Sequence, residues 1–538
     1  MENKRTVLAI ALIILVWSGY SLLFPPQPPP PPAVAPQVAA EPAAERSAET
    51  FSGESRVVGA VAENMQPAET PKIEKKIRVE SDLYLYELTT DGARLRRAVL
   101  KKYKEENKPD AAPVNIVTTD GNQLATFRTS GNEGLSLPAD TFYALQGERT
   151  DFRLSDQGVE VIRFVANSAT GLEVHKSYTF HADSYQVDLS VKLINRSSQP
   201  SRGSFDLSLI NYWDESREGD TYNFVGPTTL VGEKMMEDDP EDLQTTSKTY
   251  SKDFVWSGFL TKYFATLVSP QANATKKISV EAGDGYVENR FSSAYLTLEP
   301  GESISFDYVA YLGPKDYDLL KATGHQFDAA IDLGFFSIIA QPLMIALKFF
   351  HGYLGNWGFA IILLTVCIKA LFWPLTQKSY SSMKAMQKLQ PKMAKLREKF
   401  ANDKQRLNTE MMTLYKENRV NPFGGCLPIL IQIPVFFALY QVLLRSIELR
   451  HAPFMWWITD LSAKDPYYVT PLIMGVTMFL QQKMTPTTMD PMQARLMMMM
   501  PVVFTFLFLN FPSGLVIYWL VNNVLTIAQQ YLINRKPA

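Results

Sequence analysis

The sequence predicts a multidomain membrane protein, an α-helical transmembrane bundle of six spans plus an all-β domain on the outer face. Three observations predict it. Residues 326–538 carry a net charge of +10 and residues 1–325 a net −12, so two physically different halves lie within a chain whose total is −2. Long uncharged runs cluster in the second half. Between Ile77 and Gly324, short runs alternate apolar and polar residues, the period of half-buried strands.

Composition removes several function classes. With 53 basic against 55 acidic residues there is no basic excess, so no DNA partner is expected. Two cysteines exclude a disulfide scaffold, and five scattered histidines leave little for a metal cage. No Gly-x-x-x-x-Gly-Lys-Ser/Thr loop occurs; Gly424-Gly425 lacks the strand and lysine that such a loop needs. No cofactor and no catalytic residue are expected.

The spans follow from uncharged length, since a crossing needs about 20 apolar residues at ~1.5 Å each. Val7–Phe24 gives 18 residues after Lys4 and Arg5. Without a small-x-small cleavage site at the usual distance, it reads as an uncleaved anchor, residues 1–24. Gly352–Ile368 gives 17, is interrupted by Lys369 and resumes to Gln377, for a second span at 353–377. Val420–Leu444 gives 25 and Pro466–Gln482 gives 17. Leu496–Asn534 gives 39, which Pro512-Ser513-Gly514 divides into pieces of 16 and 20, so spans three to six occupy 420–534. Leu333–Leu347 could cross or lie flat. Charge decides between them: residues 378–419 carry 11 basic and 4 acidic groups, which belong in the cytoplasm. An extra crossing would put them outside, so 326–352 reads as an interfacial amphipathic helix. Both termini are then cytoplasmic.

Residues 25–76 begin with eight prolines in Pro25–Pro36 and read as an extended tether. Residues 77–325 read as a large β-sandwich: Val187, Leu189, Val191 and Leu193 alternate with polar neighbours, as do Ile304, Phe306 and Tyr308 after Pro300-Gly301. His175 and His181 lie there, but their spacing matches no hydrolase or metal motif. In 378–419, Met383, Met386, Met393, Leu396 and Phe400 form one helical stripe. Leu407, Met411 and Leu414 form another after Ala401-Asn402-Asp403, which predicts a basic helical hairpin. Its lysines fix topology and also suit anionic partners, headgroups or ribosomal RNA.

Lys369 stands inside the second span, eight residues before its end, where a charge costs about 2.5–3.5 kcal/mol. It either snorkels toward the interface or faces a wet groove. Gln432 and Gln441 in the third span, Gln481 and Gln482 in the fourth and Tyr518, Asn522 and Asn523 in the sixth are polar groups suited to line such a groove, and they favour it. Methionines crowd residues 484–500 and read mainly as packing or lipid-facing filler.

The chain resembles the YidC family of bacterial membrane protein insertases. The resemblance rests on Gly355-Asn356-Trp357-Gly358-Phe359, Lys369 followed by Trp373-Pro374-Leu375-Thr376, and Asn421-Pro422-Phe423-Gly424-Gly425-Cys426-Leu427-Pro428. It continues through Asp465-Pro466-Tyr467-Tyr468, Gln482-Lys483-Met484-Thr485-Pro486 and Phe511-Pro512-Ser513-Gly514-Leu515. It implies five conserved helices plus an N-terminal anchor, and a periplasmic β-supersandwich similar to sugar-mutarotase folds. It also implies a bacterial inner-membrane location and a hydrophilic groove open to the cytoplasm and lipid, in which a positive residue receives the acidic part of an incoming segment. Lys369 stands where many members have arginine, and Thr365, Gln432 and Tyr518 match other groove-lining positions. The implied partners are nascent membrane proteins and the lipid bilayer, with the Sec translocon and the ribosome reached through the hairpin. The rival readings are a solute transporter or channel with an intramembrane lysine, and an assembly factor acting through the β domain.

Overall fold

The computed structural model describes residues 74–117, 125–213, 224–272, 274–400, 403–418, 427–485 and 491–535. The expected anchor (1–24), nearly all of the expected tether (25–76) and Asn421–Cys426 lie outside these residues.

Strands occupy the chain from Lys76 to Pro314 and form sheets of five, nine and six strands. Leu172–His181, Gln186–Asn195 and Ser303–Pro314 are adjacent, antiparallel strands of the nine-stranded sheet. The run read from the alternation is one of them, and Val187, Leu189, Val191 and Leu193 are at most 1% exposed. Register places Leu189 opposite both Tyr178 and Tyr308, and Val191 opposite Lys176 and Phe306, so these side chains share one face. Both other sheets cover that face. Phe306 stacks on Phe205 of the six-stranded sheet at 4.6 Å between centroids, and Phe180 lies 5.8 Å from Tyr86 of the five-stranded sheet. A single apolar core results, made without a disulfide.

One ion cluster is buried in this unit. Arg128 Nη2 donates to both carboxylate oxygens of Glu288 at 3.0 Å, and Arg290 Nε donates at 3.2 Å. Burial alone raises the Glu288 pKa, but Arg128, Ser208 and Arg290 outweigh it and hold the carboxyl below its ordinary range.

The helices are α1 (Pro240–Leu243), α2 (Tyr317–Thr323), α3 (Ser337–Leu354), α4 (Trp357–Lys399), α5 (Lys404–Glu417), α6 (Leu427–Arg445), α7 (Val469–Met484), α8 (Pro491–Phe508) and α9 (Ser513–Arg535). Asn356 caps α4 by accepting from Phe359 N at 3.1 Å. The helix then runs 43 residues, through Pro374 and Pro391. The stretch read as a second span and the first arm of the hairpin therefore form one continuous element. Each proline removes one backbone bond, and the surrounding Ala, Met, Lys and Gln are strong helix formers. The chain restarts at Asp403, whose carboxylate accepts from Arg406 N at 2.9 Å and opens α5.

Ion pairs join the β-rich part to the helices. Lys348 on α3 reaches Asp318 at 2.7 Å, Glu448 at 2.7 Å and Asp316 at 3.5 Å. Burial lowers the pKa of that ammonium, but the three carboxylates dominate and hold it well above its usual value. Arg450, in the loop between α6 and α7, lies 5.5 Å from the Phe264 ring centroid and donates to the Glu105 carbonyl at 3.0 Å.

Apolar side chains are distributed differently in the two parts. Among the described residues, Val159 and Tyr295 are the exposed large hydrophobics before Pro314, whereas 32 lie between Phe335 and Leu532. An apolar exterior of that extent suits contact with lipid rather than water. Among the described residues, α4 is the one helix long and apolar enough by itself to cross a membrane, and shorter apolar stretches lie at Gln432–Arg445 and Leu496–Phe508. Helices α7 and α8 approach closely at Gly475, where an added Cβ meets Thr505 Oγ1.

Two measurements check this packing. Gly475→Val is expected to lower the stability of the detergent-solubilised protein by about 1–3 kcal/mol, because α7 and α8 must separate. Glu288→Gln is expected to destabilise by about 3 kcal/mol at neutral pH, leaving Arg128 without its partner. Because the folded Glu288 pKa is depressed, its contribution is present above the unfolded carboxylate value, about 4.3, and is lost as pH falls through the folded value. The melting-temperature gap between wild type and Glu288→Gln should therefore close on acidification.

Candidate functional site

Helix α9 is fixed at its start by the loop before α7. Ser513 N donates to Ala463 O at 2.7 Å and Gly514 N to Leu461 O at 2.9 Å, which seats the Pro512-Ser513-Gly514 break on that loop. The loop is itself held by Asp465, whose buried carboxylate accepts from Trp457 Nε1 (3.0 Å), Tyr467 N (2.9 Å), Thr470 N (2.8 Å) and Thr470 Oγ1 (2.7 Å). Burial raises the Asp465 pKa, but these bonds outweigh it and hold the carboxyl below its ordinary value.

From that fixed end, α9 carries Tyr518, Asn522 and Thr526 at four-residue intervals, which aligns them along one face. They line a half-open cavity of about 390 Å³. Lys369 enters it from α4, Gln432 from α6, and Gln481 and Gln482 from α7. Met497, Met500 and Phe504 of α8 form an apolar wall. The cavity is therefore amphiphilic, with amides, hydroxyls and one ammonium facing thioethers and rings.

The polar groups are tied to one another. Lys369 Nζ donates to Thr526 Oγ1 at 2.8 Å, and Gln432 Nε2 donates to the Tyr518 hydroxyl at 2.9 Å. Beyond Thr526, Gln529 Nε2 donates to Thr376 Oγ1 at 2.8 Å and Gln530 Nε2 to Thr485 Oγ1 at 3.0 Å. Polar contacts thus continue along α9 toward its C-terminal end. Lys369 is half-buried, and among the described residues no carboxylate acts on its charge.

Of the residues singled out from the sequence, Lys369, Gln432 and Tyr518 line the cavity together. Thr365 does not. It is 1% exposed and donates its hydroxyl to Ile361 O at 2.7 Å, one turn toward the packed start of α4. Gln441 lies outside the lining as well, whereas Gln481, Gln482, Asn522 and Asn523 belong to it. Met497 and Met500, read as filler, form part of the wall. Thr526 was missed, although its four-residue spacing from Asn522 and Tyr518 was a signal available in the sequence.

Among the described residues no three His, Cys, Asp or Glu stand together as metal ligands. What the cavity offers is a cation with free donor capacity, beside amides and an adaptable apolar surface. Such a site can receive a carboxylate carried on an apolar chain.

Comparison with known proteins fits both halves. Residues 76–346 match the family model described as the YidC periplasmic domain, and residues 349–538 match that described as the 60Kd inner membrane protein. Membrane protein insertase YidC of Geotalea daltonii is 45% identical over 543 residues, covering 99% of each chain. The protein of the same name from Geobacter sulfurreducens is 45% identical over 561 residues, covering 99% of this chain and 98% of that one. A solved structure, described as an active YidC insertase with its first transmembrane domain resolved, is 19% identical. It covers 86% of this chain and 93% of that one, with a TM-score of 0.36. With family models matching both halves and curated relatives sharing nearly its whole length, the chain belongs to the YidC family of membrane protein insertases.

Proposed function

We propose that this chain inserts nascent membrane proteins into the bacterial inner membrane by receiving the polar part of an incoming segment in the groove around Lys369. The observation that carries the proposal is a half-buried lysine with no carboxylate partner among the described residues, set in a polar stripe with an apolar wall opposite. The names of the full-length relatives support the insertase reading over a solute transporter or channel.

The energetics suit a transient stop. An acidic side chain entering hydrocarbon costs about 2.5–3.5 kcal/mol. A cation ~4 Å away returns about 4 kcal/mol at an effective dielectric near 20, before either partner is desolvated. These contributions nearly cancel, so the groove holds the polar end without trapping it. Burial of the segment's apolar surface in lipid, at about 25 cal/mol per Å², then drives release. Met497 and Met500 offer an adaptable surface for segments of different shape.

In the same reading the bundle has six spans, both termini lie in the cytoplasm and the β domain is a periplasmic supersandwich. The net +7 of residues 378–419 supports that orientation through the positive-inside rule. It also suits the hairpin as a contact for the ribosome, while the Sec translocon is a partner that the family likeness suggests. The exposed Ile338, Ile345, Phe349 and Tyr353 on α3 suit a helix resting in the headgroup layer.

The direct test exchanges charge at position 369. Lys369→Glu is expected to lower insertion of a dependent substrate with an acidic residue by at least tenfold, in cells depleted of the native protein. Lys369→Arg is expected to support it. Equal insertion by both variants contradicts the charge mechanism.

A further inference from the structure

Lys369 raises a question that its charge alone does not answer. A lysine head on a flexible four-carbon stem tends to follow water, and in a span it can snorkel away from a groove. Here Nζ is held by Thr526 Oγ1 at 2.8 Å. Thr526 is almost fully buried, and its hydroxyl donates its single proton to Asn522 O at 2.7 Å. Toward Lys369 it therefore acts only as an acceptor, and its β-branched side chain has few rotamers within a helix. An ammonium has three donors; one is taken by Thr526, which leaves two for a group entering the cavity.

We infer that Thr526 is a positioning residue that fixes the Lys369 ammonium within the groove and so sets the groove's preference for segments carrying a carboxylate. This rests on the insertion reading above and deepens it. The inference follows from the residue being lysine. Arginine presents a rigid planar fork with five donors and binds a carboxylate through two of them, so it depends less on a third group to hold it.

The test uses the purified full-length chain in proteoliposomes and two single-span test proteins that differ by one Asp→Asn exchange in the translocated tail. The quantity read is the ratio of insertion of the acidic protein to that of its Asn counterpart. Thr526→Val keeps the shape and removes the acceptor, and is expected to lower this ratio about tenfold. Thr526→Ser keeps the acceptor and should keep the ratio, and Lys369→Arg in the Thr526→Val background should restore it. Two results overturn the inference while leaving the groove charge intact. In one, Thr526→Val leaves the ratio unmoved although Lys369→Glu collapses it. In the other, Thr526→Val reduces both substrates in the same proportion, which marks a packing role. If Lys369→Glu itself leaves the ratio at the wild-type value, the groove-charge reading falls, and the positioning role falls with it.

Discussion

An ammonium placed well inside an apolar helical layer must have polar atoms or water beside it, and the arrangement of the bundle answers that requirement. Lys369 enters from α4, and α9 meets it with a stripe of hydroxyls and amides. Gln432 closes onto Tyr518 near one part of the stripe, and Thr526 accepts from the lysine at another. Removing this stripe would leave the charge to be met by hydrocarbon or by the apolar wall of α8. The groove, the position of α9 and the seating of its start on the Asp465 loop therefore belong to one constraint.

The β-rich part meets the helices through charge as well as apolar contact: Ile447, after α6, is buried in the β core, and Ile331 packs against both cores. Lys348 draws together Asp316 and Asp318 around α2 and Glu448 in the loop after α6. Arg450, two residues on in the same loop, reaches the Phe264 ring and the Glu105 carbonyl. Both contacts engage the loop between α6 and α7, and its later part holds the start of α9 through Ala463 and Leu461. A physical path of packed loops thus runs from the sheets to the helix that lines the groove.

Local patterns made part of this visible in advance. The two-residue alternation at Val187–Leu193 identified a buried strand face, because side-chain direction in a strand has a fixed period. Lys369 stood out because a charge inside an apolar run is costly wherever the chain goes, and Pro512-Ser513-Gly514 marked the start of α9 because proline is well tolerated at a helix entry, where its missing N–H needs no partner. Other features depend on contacts between distant residues and leave no local period. Continuity of α4 through two prolines is decided by its neighbouring residues. Thr365 shares a helix face with Lys369 but lies where the helices pack, so proximity in sequence did not bring it to the cavity. The Lys348 cluster unites residues more than a hundred positions apart, and nothing in the order of the chain marks them as partners.

Water access to the groove is the central claim, and labelling measures it directly. Single cysteines at positions 369 and 522, introduced after replacing Cys367 and Cys426, can be probed in native membranes with a membrane-impermeant thiol reagent. The account predicts that both positions react rapidly from the cytoplasmic side, and that a cysteine at position 503, on the exposed apolar surface of α8, does not. Protection of 369 and 522 to the level of 503 would mean the cavity is dry, and would contradict the account.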